Sequence, residues 1–427
     1  MMKALFAAIA GLQNHITMMD VVGNNIANVN TQGFKASRVT FQDMLTQTIS
    51  GASAPTENRG GTNPQQVGLG MKIGGIDVLQ TQGSLQATGR NTDFAIQGTG
   101  FFIVRDGAQT YYTRDGGFDV AVTGEMVNPT TGFKVQGWQA DTNGNIDTNK
   151  PLGSIVIPLG QAIAAQPTTA VTMQGNLNSS AVSAPVADSF SSTLDVYDSL
   201  GAAHPVVLKY TKTANPNEWD VSATSTDPAV NTLTVDTGAG GTKVTFDVTG
   251  HRMTPPLGTK MSIAVDLTTA SGAGTTGTTA FTTVIDQDSV TQFAGPGAIA
   301  PTFNNGFSAG SLVSFSVGPG GDITGIFSNG TTRALGQMAL ANFTNPAGLQ
   351  RAGSNNFQAT SNSGVPNVGT PGTGGRGSVG AGVLEGSNTD LAREFTNVVI
   401  AQRGFQASSK IISTADQMLE GLVNLIR

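Results

Sequence analysis

The chain has 427 residues, room for about three domains of ordinary size, of which 38% are hydrophobic and only 12% charged. A net charge of −6 and a pI near 5.0 exclude nucleic acid as a partner, since that demands a basic face, and no Lys/Arg cluster is present to hold an anionic membrane. Cysteine is absent, which removes disulfides, thiolate metal sites and thiol nucleophiles together.

The opening "MMKALFAAIAGLQNH" imitates a secretory leader, but its helical apolar pattern runs on to residue 26 instead of stopping at a cleavage site. With no run of 18 apolar residues in the chain, no membrane insertion is expected. Leu5, Leu12, Met19 and Ile26 recur every seven residues, with Ile9, Ile16 and Gly23 four later. That spacing predicts a seam-bearing helix over 4–28, about 37 Å long. It ends in "NNIANVNTQGFKAS", where Asn24, Asn25 and Asn28 are mediocre helix residues, Gly33 supplies a turn and Phe34 an apolar anchor.

Residues 51–70 and 361–380 are rich in Gly, Pro, Ser and Asn and read as linkers. Between them the pattern is that of strands. "GFFIVRDGAQTYYTR" is a hairpin around Asp106-Gly107, and further turns fall at Asn143-Gly144, Pro319 to Gly321 and Asn329-Gly330. The stretch from about 145 to 288, richest in Thr, Ala and Gly, reads as an inserted all-β domain.

The last segment carries the stronger heptad: Leu391, Val398, Phe405, Ile412, Leu419 and Ile426 stand seven apart, preceded by an N-cap signature in Ser387 to Asp390. The intervening positions, Phe395, Gln402, Ser409, Asp416 and Val423, are only half apolar, while Ile411, Ala415, Leu422 and Leu425 form a second stripe. A helix over 388–427 with two stripes calls for more than one neighbour.

The fold expected is α+β, mostly β, with long coiled-coil-like helices at both ends flanking two nested all-β domains. Residues 1–70 and 361–427 form a terminal assembly domain, 71–144 and 289–360 an inner β domain, and 145–288 an outer one. Self-assembly contacts are assigned to Leu5, Ile9, Leu12, Ile16, Met19, Asn24, Asn25, Ile26, Asn28, Gly33, Phe34, Leu391, Phe395, Val398, Phe405, Ile412, Leu419 and Ile426.

Catalytic chemistry finds little support. Asp198, Ser199 and His204 lie close in "YDSLGAAH", but without a nucleophile elbow a strand–turn–strand is the better account. "DTNGNID" (Asp141 to Asp147) suggests a calcium loop, but its Gly144 sits too early and Leu152 stands where a bidentate Glu is needed. "GTGFFI" lacks the third Gly and the Lys of a phosphate loop. No enzyme, cofactor or metal site is expected.

"DVVGNNIANVNTQGFK" (20–35) and "EGSNTDLAREFTNVVIAQRGFQASSKIISTADQML" (385–419) resemble the paired terminal signatures of the bacterial flagellar axial family, the rod and hook proteins. "TDFAIQGTGFFIV", "YTRDGGF" and "FKVQGW" are similar to that family's shared β domain. "LDVYDSLGAAHPVVLKYTKTANPNEWDV" (194–221) and "ALGQMALANFTNPAGL" (334–349) resemble its hook members, whereas most of 222–288 carries no motif that supports the resemblance. The resemblance implies a homopolymeric tube around an export channel, outside the cell, with distal rod, hook cap and hook–filament junction proteins and the export apparatus as further partners. Two alternatives stand beside it: a rod protein with an extended insert, and a secreted β-rich adhesin.

Overall fold

The computed structural model describes residues 2–425 apart from 56, 58, 142–143, 161, 184, 231, 237–240, 255–259 and 267–279. The chain is mostly β, with one long helix near each end, α1 (Met2–Ala27) and α2 (Leu391–Leu425). It divides into two compact units. One comprises Met1–Ile157, Phe315–Gly325 and Arg333–Arg427, and the other Pro158–Ser314 with Ile326–Thr332.

In the first unit the chain leaves α1 into β1 (Ser37–Asp43), β2 (Thr46–Ser50), β3 (Gln65–Gly68) and β4 (Met71–Val78). β1 pairs antiparallel with β4, and β2 with β3. The hairpin read from "GFFIVRDGAQTYYTR" is formed by Phe101–Asp106 and Gln109–Thr113, closing at Asp106↔Gln109 with Gly107 at φ +55°. All four residues Phe101 to Val104 are buried, so this strand is covered on both faces. Phe101 meets Phe343 and Phe357 edge-on at 5.9 and 5.8 Å, while Phe102 on the opposite face meets Phe118 at 5.3 Å.

The second unit is two five-stranded sheets sharing one apolar core. Ser189–Tyr197 and Ala203–Lys212 alternate buried and open residues along their length, as strands with one face packed do. Leu194, Leu208, Tyr210 and Trp219 from one sheet join Val171, Met173, Ile263 and Ile285 from the other.

Several boundaries differ from expectation. The strand Ala280–Phe293 continues across residue 288, with a shift of register between Asp286 and Ser289, and pairs in parallel with Ala170–Asn178, so the second unit extends to residue 314. No turn residue interrupts it. The expected linker 361–380 is bound into sheets: Asn367–Gly369 pairs with Leu340–Asn342, and Ser378–Ala381 with Phe94–Gln97. Its glycines serve close packing, since a Cβ on Gly377 would lie 2.3 Å from the Gln97 carbonyl. The expected linker 51–70 likewise contains β3. The turn residue Asn143 lies outside the described residues, although Gly144 has the positive φ, +82°, that such a turn requires.

α1 also corrects the statement that nothing qualifies as a membrane span. Ala4–Ala27 is long and apolar enough by length and composition, with a mean hydropathy of 1.2. Its polar residues are nevertheless engaged with the rest of the unit: Asn14 donates to the Met71 carbonyl at 2.7 Å, and Asn25 bonds to Ser37.

Candidate assembly interface

The asparagine-rich end of α1 is a joint within the chain. Asn25 is buried, and its amide makes two bonds to one residue, donating to the Ser37 carbonyl at 2.7 Å and accepting from the Ser37 N–H at 2.9 Å. A helix end leaves its last carbonyls unpaired and the chain must turn sharply, so a side chain that satisfies both backbone groups of the incoming strand fixes that turn. Asn28 closes the last turn locally by donating to the Asn24 carbonyl at 2.9 Å. Gly33 follows at φ +66°, with a Cβ there falling 2.6 Å from the Asp115 nitrogen. Phe34 is buried beneath the Arg351 guanidinium, 5.0 Å from its ring centre. Asn25, Gly33 and Phe34 are therefore not available to a second copy, contrary to their assignment as assembly contacts, because the turn they build is packed into the first unit. Asn24 is exposed.

Beside this joint lies a feature that sequence reasoning missed. Lys35 Nζ lies 2.6 Å from Glu385 Oε1, and Arg114 Nη1 lies 3.1 Å from Glu385 Oε2, all three side chains being essentially buried. Glu385 Oε1 also accepts the Gly83 N–H at 2.8 Å, and Lys35 donates to the Thr81 carbonyl at 2.8 Å. One carboxylate thus joins the segment after α1, the segment before α2 and the β domain between them. Burial holds the Lys35 ammonium below its ordinary pKa; Glu385 opposes that shift and the second cation, Arg114, adds to it.

Asp390 caps α2, its Oδ1 accepting from the Ala392 and Arg393 N–H groups at 3.0 and 3.3 Å, so the helix begins at Leu391, three residues later than expected. The two helices pack antiparallel through small residues. A Cβ on Gly11 would meet Ser408 Oγ at 3.0 Å, and one on Gly404 would lie 2.4 Å from the His15 ring. Ala8, Val22, Ala401 and Ala415 are buried along the same line. The contact stripe is thus Ala8, Gly11, His15 and Val22 against Ala401, Gly404, Ser408 and Ala415. The large-residue heptads lie beside it.

That corrects the expected seam. Leu5, Leu12, Met19 and Ile26, and on α2 Val398, Phe405 and Ile412, are half-covered flanks, while Ile9, Ile16, Leu391, Phe395 and Leu419 are exposed. Ile426 lies outside the described residues. Both helices bear apolar periodicity on several neighbouring stripes, and small residues allow the closest approach of two backbones, so they take the contact. What remains outside is apolar: Phe6 is 60% exposed, Phe395 57%, and Val399 and Ile400 53% each. Large apolar side chains left in solvent on a helix pair are candidates for burial against another molecule. The β2–β3 arm adds to them, being exposed throughout and carrying Leu45, Ile49 and Val67 into solvent. A two-stranded hairpin without a core is marginal by itself in water.

The candidate catalytic cluster has a structural occupation. Asp198 Oδ1 accepts from the Leu200 and Ala202 N–H groups at 2.9 and 2.8 Å, shaping the turn, and His204 Nδ1 lies 2.6 Å from Asp227 Oδ2. Asp141 uses its carboxylate in the same way, accepting the Asn145 N–H at 2.8 Å. Among the described residues no three His, Cys, Asp or Glu side chains come together as metal ligands.

Comparisons with known proteins place these elements in one class, the flagellar axial proteins. Family profiles match along the chain: Flagella basal body rod protein over residues 5–35, Flagellar hook protein FlgE/F/G D1 domain over 95–180, Flagellar basal body protein FlaE D2 domain over 176–307, and Flagellar basal body rod FlgEFG protein C-terminal over 381–425. The flagellar hook protein FlgE of Treponema pallidum is 40% identical over 463 aligned positions, covering 100% of both chains. FlgE of Borreliella burgdorferi is 40% identical over 457, again covering both completely. The flagellar basal-body rod protein FlgG of Bacillus subtilis is 29% identical over 428, covering 100% of each. The chain belongs to the flagellar hook protein family.

Proposed function

We propose that this chain is a structural subunit of the bacterial flagellar hook, polymerising into a curved, flexible tube that couples motor rotation to the filament. The observation that carries the reading is the set of large apolar side chains left exposed when α1 and α2 pair, Phe6 toward one end of the pair and Phe395, Val399 and Ile400 toward the other. Copies packed side by side would bury it, and the β2–β3 arm would reach onto a neighbour. The terminal helices then form the wall around the export channel in coiled-coil fashion, with the β domains outside it, one inserted in the sequence of the other. A surface with only 12% charged residues lets neighbouring β domains shift with little electrostatic penalty.

The tube lies outside the cell, and it meets distal rod, hook cap and hook–filament junction proteins at its ends. Its role is structural and not enzymatic. The 40% identity to the Treponema pallidum and Borreliella burgdorferi hook proteins, against 29% to the rod protein, favours the hook over a rod component. An adhesin would give no reason for paired helices with an apolar outer face. Electron microscopy of the purified full chain at rising concentration tests the reading: curved tubes are expected. Removal of residues 388–427 should leave the β domains folded and abolish tubes. Normal tubes from that truncation would overturn it.

A further inference from the structure

Between the last turns of α1, β1 and the first turn of α2 lies a cavity of about 260 Å³. Met18, Val22, Val39 and Leu79 form its apolar side, and Arg38, Asp390, Arg393, Glu394 and Asn397 are among the polar residues that line the rest. Glu394 is only 8% exposed, and its Oε2 is buried without a hydrogen-bond partner in the protein. A buried carboxylate oxygen without a partner is costly. Two arginines, Arg38 and Arg393, line the same cavity, but neither hydrogen-bonds Glu394 Oε2. Arg38 is directed to Asp77 at 3.5 Å, and Arg393 is rotated about 100° around the helix from Glu394.

The lining selects its occupant. A water or small cation would leave the apolar walls unused, and an apolar side chain would leave the carboxylate unpaired. A long basic side chain satisfies both, with its methylene stem on Met18, Val22 and Leu79 and its charged head on Glu394. α2 itself offers such groups. Arg403 and Lys410 stand seven residues apart on its exposed surface with no ion-pair partner among the described residues; Arg403 makes only a 3.4 Å contact to Gln406. In one chain α2 extends away from its own cavity, so these cations reach a Glu394 only in another copy. We propose that the Glu394 cavity is a socket for Arg403 or Lys410 of a second copy of this chain, fixing the register between neighbouring subunits. The proposal rests on the self-assembly reading above.

The absence of native cysteine makes the test direct. Full-length Glu394→Cys chains are mixed with Arg403→Cys or Lys410→Cys chains, polymerised and treated with a bismaleimide of about 10 Å reach, because an ion pair between long side chains holds the two Cα atoms beyond disulfide range. A cross-linked dimer is expected from one of the two mixtures in polymer and from neither in monomer. In parallel, Glu394→Gln should raise the critical concentration for polymerisation at least about tenfold, with circular dichroism of the monomer unchanged. If wild type polymerises while Glu394→Gln does so equally well, or if neither mixture cross-links, the socket falls and self-assembly stands. The socket falls as well if Arg38→Gln reproduces the defect and Arg403→Gln and Lys410→Gln do not, since its own chain then fills the site. If wild type itself fails to polymerise, the assembly reading fails first.

Discussion

Lys35 and Glu385 stand 350 positions apart in the sequence and meet at 2.6 Å, neither side chain exposed to solvent. Glu385 is the hub of that contact, because it also holds Arg114 and the Gly83 N–H. Replacing Glu385 by Ala leaves two cations buried without their counter-ion and should cost about 3–5 kcal/mol. Lys35→Met should cost clearly less, since the carboxylate keeps Arg114. The two tryptophans make this separable, Trp138 lying in the first unit and Trp219 in the second. In urea unfolding followed by fluorescence, Glu385→Ala should move the Trp138 transition and leave that of Trp219 in place. Equal losses for the two variants would show that the carboxylate is not the hub.

Asn25 and Asn24 are adjacent, chemically identical and differently placed, which gives a second test. Asn25→Ala removes both bonds to Ser37 and leaves that backbone unpaired in a buried setting, at about 1–3 kcal/mol. Asn24→Ala alters an exposed side chain and should fall within about 0.5 kcal/mol of wild type. Thermal denaturation of the two single variants decides it, and similar melting temperatures would refute the account of the joint.

Much of the architecture was legible in the sequence because its signals are local. Heptad spacing marked both helices, and Asp106-Gly107 marked the central hairpin. What escaped was decided by tertiary packing. Several apolar stripes run along each terminal helix, and periodicity alone does not say which one meets the partner; Gly11, Gly404 and Ser408 win because nothing on them holds the backbones apart. The Gly-rich stretch 361–380 looked like a linker because composition records missing side chains without recording whether another strand fills the space. The Lys35–Glu385–Arg114 cluster had no local signal at all, since its members come from three distant segments.

Tyr210 gives a pH test of the second unit. It is fully buried and accepts a hydrogen bond from Gln287 Nε2 at 2.5 Å, and burial pushes its phenol well above the ordinary value of 10.0. With the folded pKa above the unfolded one, its contribution is complete below pH 10.0 and is lost as pH rises toward the folded value, because only the unfolded chain can then ionise. The second unit should therefore weaken progressively above about pH 10. Near-ultraviolet absorbance should show Tyr210 ionising only as the unit unfolds. Tyr210→Phe should flatten this alkaline loss, and an unchanged slope would assign it elsewhere.

Phe395 separates folding from assembly. It lies in the first turns of α2 and is 57% exposed, so Phe395→Asp buries no new charge in the single chain and should change its stability by less than about 0.5 kcal/mol. Gly404→Val is its counterpart, because the added side chain collides with the His15 ring between the helices; overpacking there should cost about 1–3 kcal/mol. Both variants are expected to lose tubes for different reasons. For Phe395→Asp, amide exchange of α1 and α2 in the monomer should match wild type, because the paired helices are intact and only their outer face is charged. For Gly404→Val, protection should fall in both helices together while the β units keep theirs. Tubes from Phe395→Asp at the wild-type critical concentration would show that the exposed apolar face is not where copies meet. Loss of helix protection in that variant would instead place Phe395 inside the subunit's own packing.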